Sequence, residues 1–165
     1  MKITIIIAVH NGAKTLQACL SSITNQNYLA HEVIVMDAGS IDGTVDVLLR
    51  NDNLITYWES KKDRGIAHAW NKAFDHVSGD WIIFLGADDR LFDENALQTV
   101  ADTYQKDDCW MTYGSFVRSN GRKKHCKAYK QSVIDAHSYR QNKWLGSHLK
   151  TFKYALWCKL DMNIF

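Results

Sequence analysis

From residue 3 onward the chain alternates short, almost wholly apolar runs with stretches whose apolar residues recur every three or four positions. Ile3–Val9, broken only by Thr4 and rich in branched side chains, predicts a strand buried on both faces. After the turn His10-Asn11-Gly12, the residues Leu16, Cys19, Leu20 and Ile23 fall on one helical stripe. Residues 32–37 (EVIVMD) read as a second strand, followed by a helix carrying Val45, Leu48 and Leu49. Residues 54–59 predict a third strand. The helix after it turns Ile66, Trp70, Ala73, Phe74 and Val77 inward and ends near Gly79, which suits a C-cap. Residues 81–85 (WIIFL) predict a fourth strand and 94–104 a helix. Strands separated by helices of this length imply βαβ units, hence an α/β fold with a mostly parallel, doubly wound sheet and helices on both faces.

Beyond Cys109 the pattern changes. Residues 110–117 look like a strand, Asn120-Gly121 suits a type I′ hairpin turn, and 149–160 fit a helix with Phe152, Leu156 and Leu160 on one face. Neither a repeat nor a linker interrupts the chain, so residues 1–165 are expected to form a single domain.

Charge divides at the same place. Residues 1–108 hold 9 Lys/Arg against 16 Asp/Glu, and residues 109–165 hold 11 against 2. The basic part suggests an anionic partner, with a plain solvated surface as the alternative. No apolar run reaches membrane-spanning length, and Met1-Lys2 leads straight into the first strand without a signal-peptide pattern. Four scattered cysteines form no C-x-x-C pair, as expected for free thiols in a reducing cytoplasm.

Chemistry is expected at the carboxyl ends of the strands, where open parallel sheets bind ligands. Those ends carry His10-Asn11-Gly12, Asp37 and Gly86-Ala87-Asp88-Asp89. An Asp-Asp pair commonly starts a turn or caps a helix. Directly after a buried strand, with Asp37 nearby, it also suits a hard divalent cation, because buried unpaired carboxylates carry a large desolvation cost.

The segments IIIAVHNGAKTLQACLSSITNQ, EVIVMDAGSIDGT, DRGIAHAWNKAF and SGDWIIFLGADD, in this order, resemble the family 2 glycosyltransferases. That resemblance covers about the first 95 residues. It implies a Rossmann-like GT-A fold and a metal-dependent, inverting transfer of a hexosyl or N-acetylhexosaminyl group. The donor would be a nucleotide sugar, expected to be uridine-linked, and the acceptor a glycan or lipid-linked acceptor. By the same carry-over, Ala8, His10 and Asn11 line the base and ribose pocket, and Asp37 contacts base or ribose. Asp63, Arg64 and Gly65 form a loop beside the donor, with Asn71 and Lys72 on the helix behind. Ala87-Asp88-Asp89 matches the family's D-x-D element without its first acid, so Asp88 approaches the ribose and Asp89 holds Mn²⁺ or Mg²⁺.

The chain departs from the family pattern at Ala8 (commonly proline), at Ala38 (commonly a second aspartate that contacts the base) and at His68 (frequently aspartate). It is also short for the family. Residues 1–108 match the donor-binding core, and 109–165 would be a partial, basic acceptor side. An inverting transfer needs a carboxylate to accept the acceptor's proton, and Asp135 is the candidate base. His148, in a segment resembling one that precedes the acceptor region, is a candidate further metal ligand. The basic stretch 118–130 suggests peripheral attachment to the inner face of a membrane. The competing expectation is a nucleotide-sugar-binding module without turnover. Two other classes fit worse. A phosphoacceptor receiver would need acids after strand one, and a dinucleotide site would need G-x-G-x-x-G where only Gly12 stands. No nucleic-acid-binding module is recognisable.

Overall fold

The four apolar runs become β1 (Ile3–Val9), β2 (Glu32–Asp37), β3 (Tyr57–Ser60) and β4 (Trp81–Gly86) in the computed structural model. The periodic stretches become α1 (Leu16–Thr24), α2 (Thr44–Arg50), α3 (Ile66–Phe74) and α4 (Ala96–Lys106). The short strands β5 (Met111–Tyr113), β6 (Phe116–Val117), β7 (Lys123–Lys124) and β8 (Lys150–Lys153) follow. The structure describes residues 1–106, 111–113, 116–117, 123–124 and 150–153, with side chains through residue 103.

The main sheet runs β3-β2-β1-β4-β8-β5. β1 pairs parallel with β2 and β4, and β2 pairs parallel with β3. The chain therefore steps outward from β1 through β2 to β3, then crosses back to place β4 on the other side of β1. That reversal makes the carboxyl ends of β1 and β4 the switch point of the sheet.

Alternation along β1 explains the two-sided core. Ile3, Ile5, Ile7 and Val9 pack with Leu16, Leu20 and Ile23 of α1, Val47 and Leu48 of α2, and Leu97 of α4. Ile6, with Ile34 and Met36 of β2 and Phe84 of β4, packs instead against Ala69, Trp70 and Ala73 of α3. Each fully buried Ile or Leu contributes about 1.5–3 kcal/mol over exposure, so these layers fix the strand register firmly.

Several expectations are corrected. β3 begins at Tyr57, because residues 51–54 form a turn in which the Leu54 and Ile55 N–H groups bond back to the Asn51 carbonyl. In α2 the inward residues are Val47 and Leu48, and Leu49 is exposed. Ile66, at the first turn of α3, is exposed as well. Gly79 does not cap α3, which ends at Phe74 with Asp75 as its cap. It is needed because a Cβ there would lie 2.3 Å from Thr4 Oγ1.

The largest correction concerns 149–160, read as a helix. Lys150–Lys153 is instead a strand, antiparallel to both β4 and β5, with Ile82 opposite Phe152. The exposed edge of β4 offers unpaired N–H and C=O groups, and satisfying them outweighs a weak helical preference. Residues 110–117 likewise divide, β5 joining the main sheet and β6 pairing with β7. Val117 faces Lys123, one residue away from the pairing with Lys124 that a two-residue turn at Asn120-Gly121 sets. Those two turn residues lie outside the described ones.

Candidate functional site

The parallel register brings the candidate strand ends to one level. Ala8 stands opposite Gly86, Val9 opposite Asp37, and Asp37 opposite Ser60. The β1 and β4 turns also touch, since a Cβ on Gly12 would lie 3.7 Å from that of Ala87.

The β1 turn is held by the loop after β2. Three successive backbone N–H groups there each donate to a side chain of that loop or of the first residue of α2: Asn11 to Ser40 Oγ at 2.7 Å, Gly12 to Thr44 Oγ1 at 2.9 Å and Ala13 to Asp42 Oδ2 at 3.0 Å. Asp42 in turn accepts the Thr44 hydroxyl and N–H. The Thr44 hydroxyl is the main reason the Asp42 carboxyl sits below the usual range. In dinucleotide-binding folds the first strand-to-helix turn cradles phosphate with such N–H groups. Here they are already occupied.

Asp37 is fully buried. Its Oδ2 accepts the Ser40 N–H at 2.9 Å and the Ser60 hydroxyl at 2.5 Å, while Oδ1 accepts the Ser40 hydroxyl. Each acceptor oxygen thus serves the protein itself, which is how a carboxylate tolerates complete burial.

Beyond β4 the arrangement differs. Asp88 is exposed and Asp89 half-buried, in a turn closed by the Asp89 N–H on the Gly86 carbonyl at 2.9 Å. Gly86 makes that turn possible, because a Cβ would lie 2.8 Å from Asp89 Oδ2 and 3.0 Å from Asp88 Oδ1. α1 and the residues after it anchor the whole segment. The Cys19 thiol reaches the Gly86 carbonyl at 3.5 Å, Ser22 Oγ accepts the Leu91 N–H, and Gln26 bonds both the Asp93 carbonyl and the Leu97 N–H. Burial, then the negative charges of Asp89 and Asp88, push the Cys19 thiol up to about 12. It therefore stays protonated and keeps its donor role. Among the described residues no three His, Cys, Asp or Glu side chains converge as a complete cation shell. Two carboxylates fit a hard cation that takes its remaining oxygens from a bound ligand and water.

On the far side of β1, Asp63 Oδ1 accepts the Gly65 N–H at 2.8 Å, shaping the loop into α3. Gly65 has φ +116° with open space around it, a conformation other residues resist. The exposed Arg64 donates its N–H to His68 Nδ1 at 3.4 Å, so His68 serves the helix start. Asn71 is half-buried on α3. Lys72 Nζ lies 2.5 Å from Glu59, which Lys61 also meets at 2.9 Å. Lys72 and then Lys61 hold the Glu59 carboxyl below its usual range.

Ala8, His10, Asn11, Asp37, Asp63, Arg64, Gly65, Asp88 and Asp89 thus all lie at the carboxyl edge, on strand ends or the loops that follow them. Asp135 and His148 lie outside the described residues. Ser40, Asp42, Thr44, Ser22 and Gln26 escaped the sequence reading. The short polar run Ser40-Ile41-Asp42-Gly43-Thr44 was a signal for loop-stapling side chains.

Residues 4–161 match the family described as glycosyl transferase family 2. The glycosyltransferase GlyA of Streptococcus pneumoniae is 30% identical over 169 residues, covering 96% of this chain and 24% of that protein. A PGL/p-HBAD biosynthesis glycosyltransferase of Mycobacterium bovis is 37% identical over 103 residues, or 59% of this chain and 40% of its own length. The chain therefore spans well under half of these relatives. Among solved structures, S. aureus TarS 1-349 in complex with UDP-GlcNAc superposes with a TM-score of 0.76 at 21% identity, covering 98% of this chain and 48% of that one. The mannosyltransferase PcManGT from Pyrobaculum calidifontis, in complex with GDP-Man and Mn²⁺, gives 0.68 at 25%, covering 97% and 46%.

Proposed function

The chain belongs to glycosyltransferase family 2, and from that membership we propose that it binds a nucleotide sugar, uridine-linked, along the carboxyl edge of its sheet. We propose further that it transfers the sugar, with inversion, to a glycan or lipid-linked acceptor. The observation that carries this reading is the contrast at the switch point. The Asn11, Gly12 and Ala13 N–H groups are spent within the protein, so the β1 turn has little to offer a diphosphate. Across from it, Asp88 and Asp89 would repel one unless a cation lay between them.

In this reading Ala8, His10 and Asn11 line the nucleoside. Asp63, Arg64 and Gly65 flank the donor with Asn71 behind them, and Asp88 turns toward the ribose. Mn²⁺ or Mg²⁺ on Asp89, with Asp88 beside it, would supply charge stabilisation for the departing diphosphate. His148 as a further ligand and Asp135 as the base that accepts the acceptor's proton belong to the same proposal, as does salt-sensitive membrane attachment through residues 118–130. Among the described residues no helix is long and apolar enough to cross a membrane.

Calorimetry of uridine diphosphate with and without Mn²⁺, on the parent and on Asp89→Ala, tests the donor site. Metal-dependent binding lost in the variant is expected. Equal affinity in all four conditions would sink the metal assignment, and no binding in any of them would sink the donor site. Binding without transfer or hydrolysis of any UDP-sugar would favour a module that holds the donor without turnover.

A further inference from the structure

We propose that Ser40 is a positioning residue for the nucleoside and that Asp37 acts on the nucleoside only through it. The proposal rests on the donor site described above. Asp37 is fully buried, and its two oxygens receive the Ser40 N–H, the Ser40 hydroxyl and the Ser60 hydroxyl. A side chain so enclosed does not reach a ligand at the edge; it orients its neighbours. Because the Ser40 hydroxyl gives its proton to Asp37, its lone pairs face outward as acceptors, strengthened by the carboxylate behind them. One accepts the Asn11 N–H at 2.7 Å.

Asn11 is the sole non-glycine residue with positive φ among the described residues, at +52°. Asparagine tolerates that region better than most residues, but holding it there requires outside constraint. Ser40 supplies one latch on the backbone. The next residue supplies a second, as the Ile41 N–H donates to Asn11 Oδ1 at 3.1 Å. A backbone donor on Oδ1 settles which way the amide faces. Asn11 Nδ2 is then a donor, and His10 Nε2, 3.2 Å away, is its acceptor. The relay runs from buried Asp37 through Ser40 to Asn11 and His10, the two residues assigned to the nucleoside pocket.

The test uses the full chain as parent, Ser40→Ala, Ser40→Thr, Asp37→Asn and the Asp37→Asn/Ser40→Ala double variant. Two quantities are read: amide hydrogen exchange at Asn11 without nucleotide, and calorimetric affinity for uridine monophosphate in metal-free buffer. Loss of one hydrogen bond of this kind corresponds to about five- to tenfold. Ser40→Ala is expected to speed Asn11 exchange and to weaken uridine monophosphate by about that factor. Asp37→Asn should do the same, and the double variant should be no worse than the more affected single one. Ser40→Thr, which keeps the acceptor oxygen, should restore both readouts, and it decides the matter if Asp37→Asn does not fold. Parental exchange or parental affinity in Ser40→Ala overturns the proposal. So do losses that multiply in the double variant, or equal loss in the threonine and alanine variants. A parent that binds neither uridine monophosphate nor the diphosphate overturns the donor site itself, whereas unchanged Asn11 exchange in Ser40→Ala overturns the relay alone.

Discussion

β2 carries a carboxylate at each end, and β4 is followed by two more; their surroundings give the same group three different uses. At the amino edge Glu32 is buried and accepts the Thr4 hydroxyl, the Ser78 N–H and hydroxyl, and the Gly79 N–H. Burial alone would raise its carboxyl, but the bonds from Thr4, Ser78 and Gly79 outweigh it and hold the group below the usual range. At the carboxyl edge Asp37 is equally enclosed, yet the loop it organises leads to the β1 turn. Asp88 and Asp89 sit beyond the strand, nearer solvent, in a turn that Gly86 leaves room for. Sheet position distinguishes Glu32 from Asp37, and solvent access distinguishes Asp37 from the Asp pair.

The most drastic way to break the comparison is Glu32→Ala. It strands the buried Thr4 hydroxyl and Gly79 N–H and unpairs the Ser78 N–H, and should cost about 3–5 kcal/mol in urea unfolding. The remaining folded protein should still bind uridine diphosphate with parental affinity. The pH dependence has a definite sign. A depressed folded value means that Glu32 stabilises fully above the ordinary glutamate range, and that this contribution disappears as pH falls through the folded value. Acid unfolding of the parent should be steeper than that of Glu32→Gln.

Asp89→Ala should show the opposite profile. Transfer from a UDP-sugar is expected to fall by about 10²–10³-fold, as when one electrostatic stabiliser of a leaving group is removed, with a urea midpoint close to the parent's. A matching loss of stability would place Asp89 with Glu32 as a structural carboxylate.

A pair of glycine substitutions sharpens the contrast. Gly79→Ala puts a Cβ against Thr4 Oγ1 and the Lys2 carbonyl, and should cost about 1–3 kcal/mol as overpacking does, without changing nucleotide affinity. Gly86→Ala presses on the Asp88 and Asp89 carboxylates, so it should lower apparent Mn²⁺ affinity more than stability, read by metal titration and urea melts together. The smallest effect is expected at Cys19. With its thiol pushed up to about 12 and its side chain buried, it should resist iodoacetamide in the native protein at pH 8, followed by peptide mass spectrometry. Alkylation there at the rate seen in urea would mean that α1 does not pack against the Gly86 turn as described.

The sequence by itself determined the alternation of strands and helices through residue 106, the two-sided core and the level at which polar strand ends gather. Those follow from side-chain periodicity, which is local: Ile3, Ile5 and Ile7 cannot avoid sharing a face, and Leu16, Cys19, Leu20 and Ile23 cannot avoid sharing a stripe. Motif order along the same residues was also enough to indicate the family. Only the tertiary structure decided that Lys150–Lys153 lies as a strand between β4 and β5, because the competing partner is a sheet edge more than sixty residues away in the chain. It alone decided that Gly79 serves close packing on Thr4 instead of a helix cap. It also separated Asp37, with its oxygens occupied by Ser40 and Ser60, from Asp88 and Asp89. A carboxylate's role depends on which donors surround it and how much water reaches it, and both are set by residues distant in sequence.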